Sequence, residues 1–378
     1  MMASQQEVST HPNILIIGGG SGGHISPGLA VAESISEMGG RCHVLCSERA
    51  IDRSMLEDEN VSYQSMPARP FSTRPAGLWR CLRGIRQCTS DVNDLMATQT
   101  FDGVLALGGF VAASVMPGIL KARRSGGIDG FKGKIILLNL DRIPGKANRQ
   151  IARKADLVLT AVDTVQPGFA SMTTGLPIRS AAMASGTRSH CRIQLGLDPD
   201  RTTLLVTGAS QGASSLNKLM FRLIDSHRDR LQALQIIHLS GQQSRDELAG
   251  AYETAGIRAV VHPFMHEMGL AWGAASMTIS RAGANSVAEI QANAIPAIFL
   301  PYPHHRDQHQ FHNARPLVDA GGSHVVEDLD DETTAGAVAD LLFSVFQDSA
   351  SHQAMATALQ AQARPEAARR VISALLDS

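Results

Sequence analysis

Residues 279–314, ISRAGANSVAEIQANAIPAIFLPYPHHRDQHQFHNA, contain the pattern on which the fold assignment depends. The stretch begins within an apolar strand predicted at residues 277–280, turns through residues 282–284, and continues as a helix with Val287 and Ile290 on one face. A helix N-terminus presents unpaired backbone N–H groups, and a turn of small residues lets a phosphate approach them closely. This strand, turn and helix therefore indicate a phosphate-binding element of an α/β domain.

Polar side chains extend this element toward a sugar-binding pocket. Glu289 lies in the first helical turns, where its carboxylate can accept two hydrogen bonds from a ribose diol. A second apolar strand, predicted at residues 297–300, is followed by a row of polar groups: Asp307, His309, Gln310 and Asn313. Together they predict a nucleotide-sugar pocket. Taken alone, Glu289 is explained equally well as a complement to the helix dipole.

Length and composition limit the remaining possibilities. A chain of 378 residues exceeds one ordinary hydrophobic core, which predicts two domains. The net charge of -1 argues against a general nucleic-acid binder, so we expect no nucleic-acid partner.

Five cysteines without CxxC spacing indicate neither a disulfide framework nor a zinc ribbon, and they favour a reducing cytoplasm. The N-terminus lacks the pattern of a signal peptide, and the protein is predicted to be soluble or peripheral to a membrane.

The first half of the chain opens with a strand at residues 13–17, a glycine-rich turn at residues 18–23 and a helical run at residues 27–38. The glycine spacing satisfies the dinucleotide fingerprint, with Glu48 as a possible ribose acid, so an NAD-dependent oxidoreductase is one alternative. That fingerprint does not require the histidine at position 24. An imidazole there can accept a proton from a hydroxyl, or it can merely stabilise the turn.

Two series of strands, each alternating with helices, predict two Rossmann-like, doubly wound parallel sheets that face each other across a cleft. We place the first domain at residues 1–180 and the second at residues 181–357, and we predict three helices from residue 333 onward with Pro365 breaking the second from the third. Further strands are expected at residues 42–46, 103–107, 134–138, 156–160, 203–207, 235–239 and 259–262. Residues 108–110 form a second glycine turn, which we expect to face the first.

Residues 66–90 have the pattern of a basic amphipathic helix. Leu78, Leu82 and Ile85 form one stripe with Trp79 at its edge, and the segment contains five arginines and no acid before residue 91. Such a helix is typical of attachment to an anionic membrane surface, although an ordinary surface helix has the same pattern.

The histidine-rich run at residues 304–312 raises the question of a metal. His305, His309 and His312 have the i, i+4, i+7 spacing of ligands on one helix face. A loop that lines a sugar pocket explains the same polarity, so we predict no metal and no other cofactor.

Several motifs, in order over nearly the whole chain, resemble those of the MurG family of N-acetylglucosaminyltransferases. They are GGSGGHISPGLAVA (19–32), GGF (108–110), IPGKAN (143–148), TGLPIR (174–179), GASQGASSLN (208–217), FMHEM (264–268), SRAGANSVAE (280–289) and DQHQFHNA (307–314). The resemblance implies the GT-B fold, with a C-terminal helix at about residues 358–378 packing back onto the first domain. It also implies transfer of N-acetylglucosamine from UDP-N-acetylglucosamine to the 4-hydroxyl of a lipid-linked muramoyl-pentapeptide, at the cytoplasmic face of the membrane.

The resemblance further implies roles for individual residues. Ser210 and the amides of Ala284 and Asn285 would contact the diphosphate with Arg179 beside it, and Met265 would frame the uracil. Glu289 would bind the ribose, and Gln310 the donor sugar, together with His309, which stands where the family commonly has glutamine. The remaining substrate-binding positions are Ser21, Gly22, Gly23 and Asp141.

The chain departs from the family pattern on the half expected to face the acceptor. LNLD at residues 138–141 replaces the usual HEQN, and GGFVAAS at residues 108–114 replaces GGYVSGP. The catalytic base is predicted to be His24, with Asp141 as the rival because a carboxylate replaces an amide there. The alternatives left open are another UDP-sugar enzyme, such as a glycolipid glycosyltransferase or an epimerase, and a non-catalytic UDP-sugar-binding paralogue.

Overall fold

The computed structural model describes residues 11–20, 22–57, 59, 61–125, 131–208 and 213–377. The chain forms two compact units: Met1–Arg179 with Pro365–Ser378, and Ser180–Arg364. Among the described helices, none combines the length and the apolarity that crossing a bilayer requires.

The first unit contains a seven-stranded sheet with the order β3-β2-β1-β4-β5-β6-β7, and its paired strands are all parallel. The elements are β1 (Asn13–Ile17), α1 (Gly22–Glu37), β2 (Arg41–Ser47), α2 (Ala50–Glu57), β3 (Ser62–Met66), α3 (Pro75–Thr98), β4 (Gly103–Ala106), α4 (Gly109–Ser125), β5 (Lys134–Asn139), α5 (Lys146–Ala152), β6 (Leu157–Thr160) and β7 (Met172–Thr173). Helices cover such a sheet on both faces, which is why β1 and β4 are almost wholly apolar and buried.

The second unit repeats this plan with six parallel strands in the order β10-β9-β8-β11-β12-β13. A short 3₁₀ turn (Ser180–Ala182) precedes its elements, which are α6 (Arg188–Gln194), β8 (Thr203–Thr207), α7 (Ser214–Gln232), β9 (Gln235–Leu239), α8 (Arg245–Thr254), β10 (Arg258–His262), α9 (Met268–Ala274), β11 (Met277–Ser280), α10 (Ala284–Ala292), β12 (Ala297–Phe299), α11 (His309–Asp319), β13 (Ser323–Val325), α12 (Glu332–Gln347) and α13 (Ser349–Gln362).

The last helix, α14 (Ala367–Leu376), belongs to the first unit. It packs against α1, β4 and β5, and the Nζ of Lys134 donates a hydrogen bond to the carbonyl oxygen of Ala374 at 3.4 Å. The prediction of three final helices separated at Pro365 is confirmed.

Each sheet has one point where the strand order reverses. This switch point lies between β1 and β4 in the first unit and between β8 and β11 in the second. Ligands of open α/β sheets bind beyond the carboxyl ends of the strands at such a point. In the first unit the two glycine turns follow β1 and β4, and in the second the small-residue turn at residues 282–283 follows β11.

Candidate functional site

The first glycine turn is fixed by hydrogen bonds to a buried carboxylate, Asp52, which the sequence analysis did not single out. Oδ2 of Asp52 accepts hydrogen bonds from the Gly20 amide at 2.6 Å, the Ser47 amide at 3.0 Å and the Ser47 hydroxyl at 2.5 Å. Gly19 and Gly20 have φ values of +140° and +86°, which L-residues with a side chain rarely adopt. The turn therefore depends on glycine for its shape and on Asp52 for its position.

This contact disfavours the dinucleotide alternative. In that motif the amides of the glycine turn face a pyrophosphate. Here the Gly20 amide donates to the Asp52 carboxylate instead, and a second negative charge would be repelled. Glu48, the proposed ribose acid, is paired with Arg69 at 2.7 Å.

Phe110 and Arg49 close over the same turn. A Cβ atom at Gly20 would collide with the Phe110 ring, and the Arg49 guanidinium lies 5.2 Å from the centroid of that ring. Nη1 of Arg49 also donates to the Gly20 carbonyl oxygen at 2.5 Å. Because Phe110 comes from the start of α4, the two glycine turns are adjacent, as expected from their places at the switch point.

His24 lies on α1 between these turns. A Cβ atom at Gly109 would lie 3.4 Å from both Cε1 and Nε2 of the imidazole, which is an ordinary van der Waals distance, so the ring packs directly against the second glycine turn. Loss of hydration lowers the pKa of His24 from the ordinary value of 6.5, while the carboxylates of Asp141 and Asp52 oppose this decrease. The imidazole is thus neutral near pH 7 and able to accept a proton, and the two acids stabilise the imidazolium that forms.

The other predicted site residues of the first unit are Arg179 and three residues of the first glycine turn. Arg179 forms ion pairs with Glu33, at 3.3 Å, and with Glu59. These carboxylates offset its charge, and its role beside the diphosphate stays a prediction. Of the first-turn residues, Gly22 is buried at the start of α1 and Gly23 is exposed, whereas Ser21 lies outside the described residues.

In the second unit, α10 begins as the phosphate hypothesis requires. Gly283 precedes the helix with an extended backbone, and no side chain caps the N-terminus in the described part of the chain. A Cβ atom at Gly283 would meet nothing within 4 Å, so there is open space beside this turn among the described residues. Ser210, the other predicted diphosphate contact, lies outside the described residues.

Glu289 is oriented by a tryptophan that the sequence analysis did not single out. The indole Nε1 of Trp272 donates to Oε2 of Glu289 at 3.0 Å, and Trp272 is buried. A fixed carboxylate loses little conformational entropy when it binds a diol. The presence of only two tryptophans in the chain was the available signal.

Arg281 flanks this turn but is part of the interior. Its guanidinium pairs with Asp328 at 2.8 Å and donates to the Ser215 hydroxyl at 2.6 Å. The side chains of Arg281 and Asp328 are only 7% and 3% exposed. The ion pair joins the end of β11 to the segment after β13, and the Ser215 hydroxyl connects both residues to the first turn of α7, so the role of the pair is structural.

The segment before α11 contains the remaining donor-side residues. The Tyr302 amide donates to Oε1 of Gln310 at 2.9 Å, so the loop fixes the carboxamide and leaves its N–H groups as donors. Nδ1 of His309 lies 2.9 Å from Oδ1 of Asp307. Met265 is half-buried in the loop before α9.

Two family models match this chain: the glycosyltransferase family 28 N-terminal domain over residues 14–160 and the C-terminal domain over residues 203–371. A Nocardioides protein named UDP-N-acetylglucosamine--N-acetylmuramyl-(pentapeptide) pyrophosphoryl-undecaprenol N-acetylglucosamine transferase is 33% identical over 97% of this chain and 99% of its own length. The chain belongs to the MurG family of glycosyltransferases. An Azotobacter vinelandii protein of the same name is 30% identical over 97% of this chain and 98% of its own length.

Solved structures agree with this family at the level of the fold. A MurG crystal structure from Acinetobacter baumannii has a TM-score of 0.70 at 23% identity and covers 97% of this chain and 100% of its own. A crystal structure of a UDP-N-acetylglucosamine 2-epimerase has a TM-score of 0.63 at 14% identity and covers 97% of this chain and 95% of its own. The fold is GT-B.

The departures from the MurG pattern have a structural account. Leu138 and Leu140 are buried apolar residues, while Asn139 is wholly buried and polar. Nδ2 of Asn139 donates to the Asp141 carbonyl oxygen at 2.6 Å, and its Oδ1 accepts from Asn148 at 2.8 Å. Asn148 in turn accepts from the Gly109 amide at 3.3 Å. This network joins the Asp141 loop to the second glycine turn.

Proposed function

We propose that the protein transfers N-acetylglucosamine from UDP-N-acetylglucosamine to the 4-hydroxyl of a lipid-linked muramoyl-pentapeptide at the cytoplasmic face of the membrane. Membership of the MurG family supports both substrates. The observation that carries the proposal is the position of the His24 imidazole between the two glycine turns, at the switch point of the first sheet. In the second unit, the uncapped N-terminus of α10 would bind the diphosphate of the UDP-sugar, and Glu289, oriented by Trp272, would bind its ribose.

The proposed reaction is an inverting displacement without a catalytic metal. The acceptor oxygen forms a bond to the anomeric carbon, the bond from that carbon to the β-phosphate oxygen breaks, and UDP leaves from the opposite face. The hydroxyl proton passes to His24, whose positive charge Asp141 and Asp52 then stabilise. The amides at the start of α10, with the predicted contacts of Ser210 and Arg179, stabilise the diphosphate that leaves.

The direct test is UDP release from UDP-N-acetylglucosamine with and without a lipid-linked muramoyl-pentapeptide analogue. Acceptor-dependent release, with one N-acetylhexosamine added to the acceptor by mass, is the expected result. Tight UDP-sugar binding without a product would contradict transfer to this acceptor and favour a different acceptor or a non-catalytic binder. Release of UDP that does not depend on any acceptor would point to an epimerase-like or hydrolytic activity.

The donor half of the proposal predicts that Glu289→Gln weakens UDP-N-acetylglucosamine binding. Hydrogen bonds to a charged group contribute about 1.5–3 kcal/mol each, so the dissociation constant should rise about 10- to 100-fold. Calorimetric titration measures this, with Glu247→Gln on α8 as the control because Glu247 is exposed and distant from α10 in sequence. Unchanged affinity in Glu289→Gln would remove this residue from the ribose site.

Attachment to an anionic membrane is the second part of the proposal, and α3 supports it. The helix buries Cys81, Cys88 and Val92, and it leaves Leu78 and Leu82 of the predicted membrane-facing stripe exposed. Trp79 and Leu82 are 61% and 53% exposed, and the preceding chain adds an exposed aromatic residue, Phe71. Exposed apolar side chains next to arginines are the arrangement that interfacial helices use.

Reversing two charges on this helix, Arg80→Glu with Arg83→Glu, should reduce binding to vesicles that contain anionic lipid. Each basic residue near such a surface contributes about 1 kcal/mol, so the partition coefficient should fall at least about tenfold. Vesicle co-sedimentation measures the effect. Arg153→Glu with Lys154→Glu changes the net charge equally on exposed residues after α5 and should have a smaller effect. Equal losses in both variants would contradict docking through α3.

A further inference from the structure

Three side chains just before and at the first residue of α11 form a cluster. The proposed transfer reaction assigns a role only to His309 among them, as a contact of the donor sugar. His305, Asp307 and His309 each offer one ligand atom, and these atoms all lie within 4.8 Å of one another. The two imidazole rings are nearly perpendicular, at an angle of 85° with centroids 4.4 Å apart. Oδ1 of Asp307 lies 2.9 Å from Nδ1 of His309. The metal hypothesis based on sequence spacing had included His312, which is not a member of this cluster.

The chemistry of the cluster is that of a transition-metal site. Two imidazoles and one carboxylate are a ligand set that zinc sites use when a fourth position is left to water. Ligand atoms around a tetrahedral zinc ion are about 3.3 Å apart, given bonds of about 2.0 Å. His305 and Asp307 are exposed and His309 is half-buried, so rotation of side chains can bring the atoms from their present separations to that value.

The position of the cluster links it to the donor. His309 stands where the MurG family commonly has glutamine, so its imidazole is a departure of this chain. It is adjacent in sequence to Gln310, the predicted contact of the donor sugar. A metal ion bound jointly by His305, Asp307 and His309 would hold the His309 imidazole in the cluster, so that it could no longer contact the sugar.

We propose that His305, Asp307 and His309 bind one divalent transition-metal ion of the Zn²⁺ type, and that the bound ion weakens UDP-N-acetylglucosamine binding. The effect on the donor rests on the proposed function, whereas the binding of the ion does not. The ion is inhibitory and takes no part in the transfer step.

The first experiment titrates untagged protein with Zn²⁺ by calorimetry and with Co²⁺ by visible absorption. An untagged chain is needed because a polyhistidine tag binds the same ions. We expect one equivalent to bind, with His305→Ala weakening binding about tenfold or more, since loss of a ligand costs at least as much as loss of a supporting contact. His304→Ala is the matched control, because His304 is the neighbouring exposed histidine outside the cluster, and it should bind as the unaltered protein does. No binding in the unaltered protein, or equal binding in the His305→Ala and His304→Ala variants, would overturn the site.

The second experiment measures UDP-N-acetylglucosamine affinity with and without Zn²⁺ in the same three proteins. Zinc should weaken donor binding in the unaltered protein and in His304→Ala, and should have a smaller effect in His305→Ala. This comparison also removes any effect of zinc bound directly to the diphosphate, which is common to all three. Zinc binding without a change in donor affinity would overturn the inhibitory role. Failure of the metal-free protein to bind the donor would count against the proposed function and leave the metal site to the first experiment.

Discussion

Replacing His24 with alanine is expected to lower kcat/KM for sugar transfer by about 10²–10⁴, the usual effect of losing a positioned general base. The imidazole lies between the two glycine turns and is neutral near pH 7, because burial lowers its pKa. The change should leave UDP-sugar affinity nearly unchanged, since the N-terminus of α10 and Glu289, which we propose to bind the donor, belong to the second unit. Steady-state rates of UDP release, with donor affinity measured separately, distinguish these two effects.

The pH profile gives an independent test of the same assignment. A base works in its deprotonated form, so kcat/KM should fall as the pH decreases through the pKa of His24, which is below 6.5. Asp141 raises that pKa through its charge, so Asp141→Asn should move the acid limb to lower pH with a modest loss of rate. If Asp141 were the base, Asp141→Asn would abolish turnover and His24→Ala would retain most of it.

The largest effect on stability is expected from Arg281→Met. This change leaves the Asp328 carboxylate buried without its cation, with only the Ser215 hydroxyl and the Asp330 amide as hydrogen-bond donors among the described residues. Removing one partner of a buried ion pair typically costs about 3–5 kcal/mol. The loss should appear in the second unit and should also impair donor binding, because Arg281 precedes the turn that starts α10.

Tryptophan fluorescence can follow this unit separately during urea unfolding. Trp272 is buried in the second unit and Trp79 is exposed in the first, so a Trp79→Phe background reports on the second unit. Arg222→Met is the matched control, because its partners Asp330 and Glu332 are 36% and 77% exposed and such pairs contribute about 1 kcal/mol or less. Equal destabilisation by Arg281→Met and Arg222→Met would contradict the structural role of the buried pair.

Most of the strands that sequence patterns predicted lie inside their sheets and are buried on both faces; the exception is β10, an edge strand that was predicted at residues 259–262. Asn13–Ile17 and Thr203–Thr207 are continuous apolar runs, and their predicted bounds are confirmed. The three strands that were missed are Ser62–Met66, Met172–Thr173 and Ser323–Val325. Each lies at the edge of its sheet, where a strand has one neighbour and needs no continuous apolar run, so its sequence resembles that of a loop.

The helix at residues 75–98 shows a similar limit. Its apolar periodicity predicted a helix and the stripe of Leu78 and Leu82, which is exposed as attachment to a membrane requires, but it did not predict the second stripe at Cys81 and Cys88, which is buried. Spacing alone does not show which of two apolar stripes a helix buries, because that depends on the element packed against the helix. Here that element is α4.

The sequence by itself determined the two parallel sheets, the glycine turns after β1 and β4, and the small-residue turn at Gly283, because chain-local properties dictate them: apolar runs, permitted φ values and helix starts. Tertiary structure alone decided which distant groups act together. Asp52 accepts a hydrogen bond from Gly20, Trp272 donates one to Glu289, and Asp328 forms an ion pair with Arg281. Buried polar groups must find partners wherever the fold places them, and partners that are 17 to 47 positions apart in the sequence leave no periodic signal of those contacts.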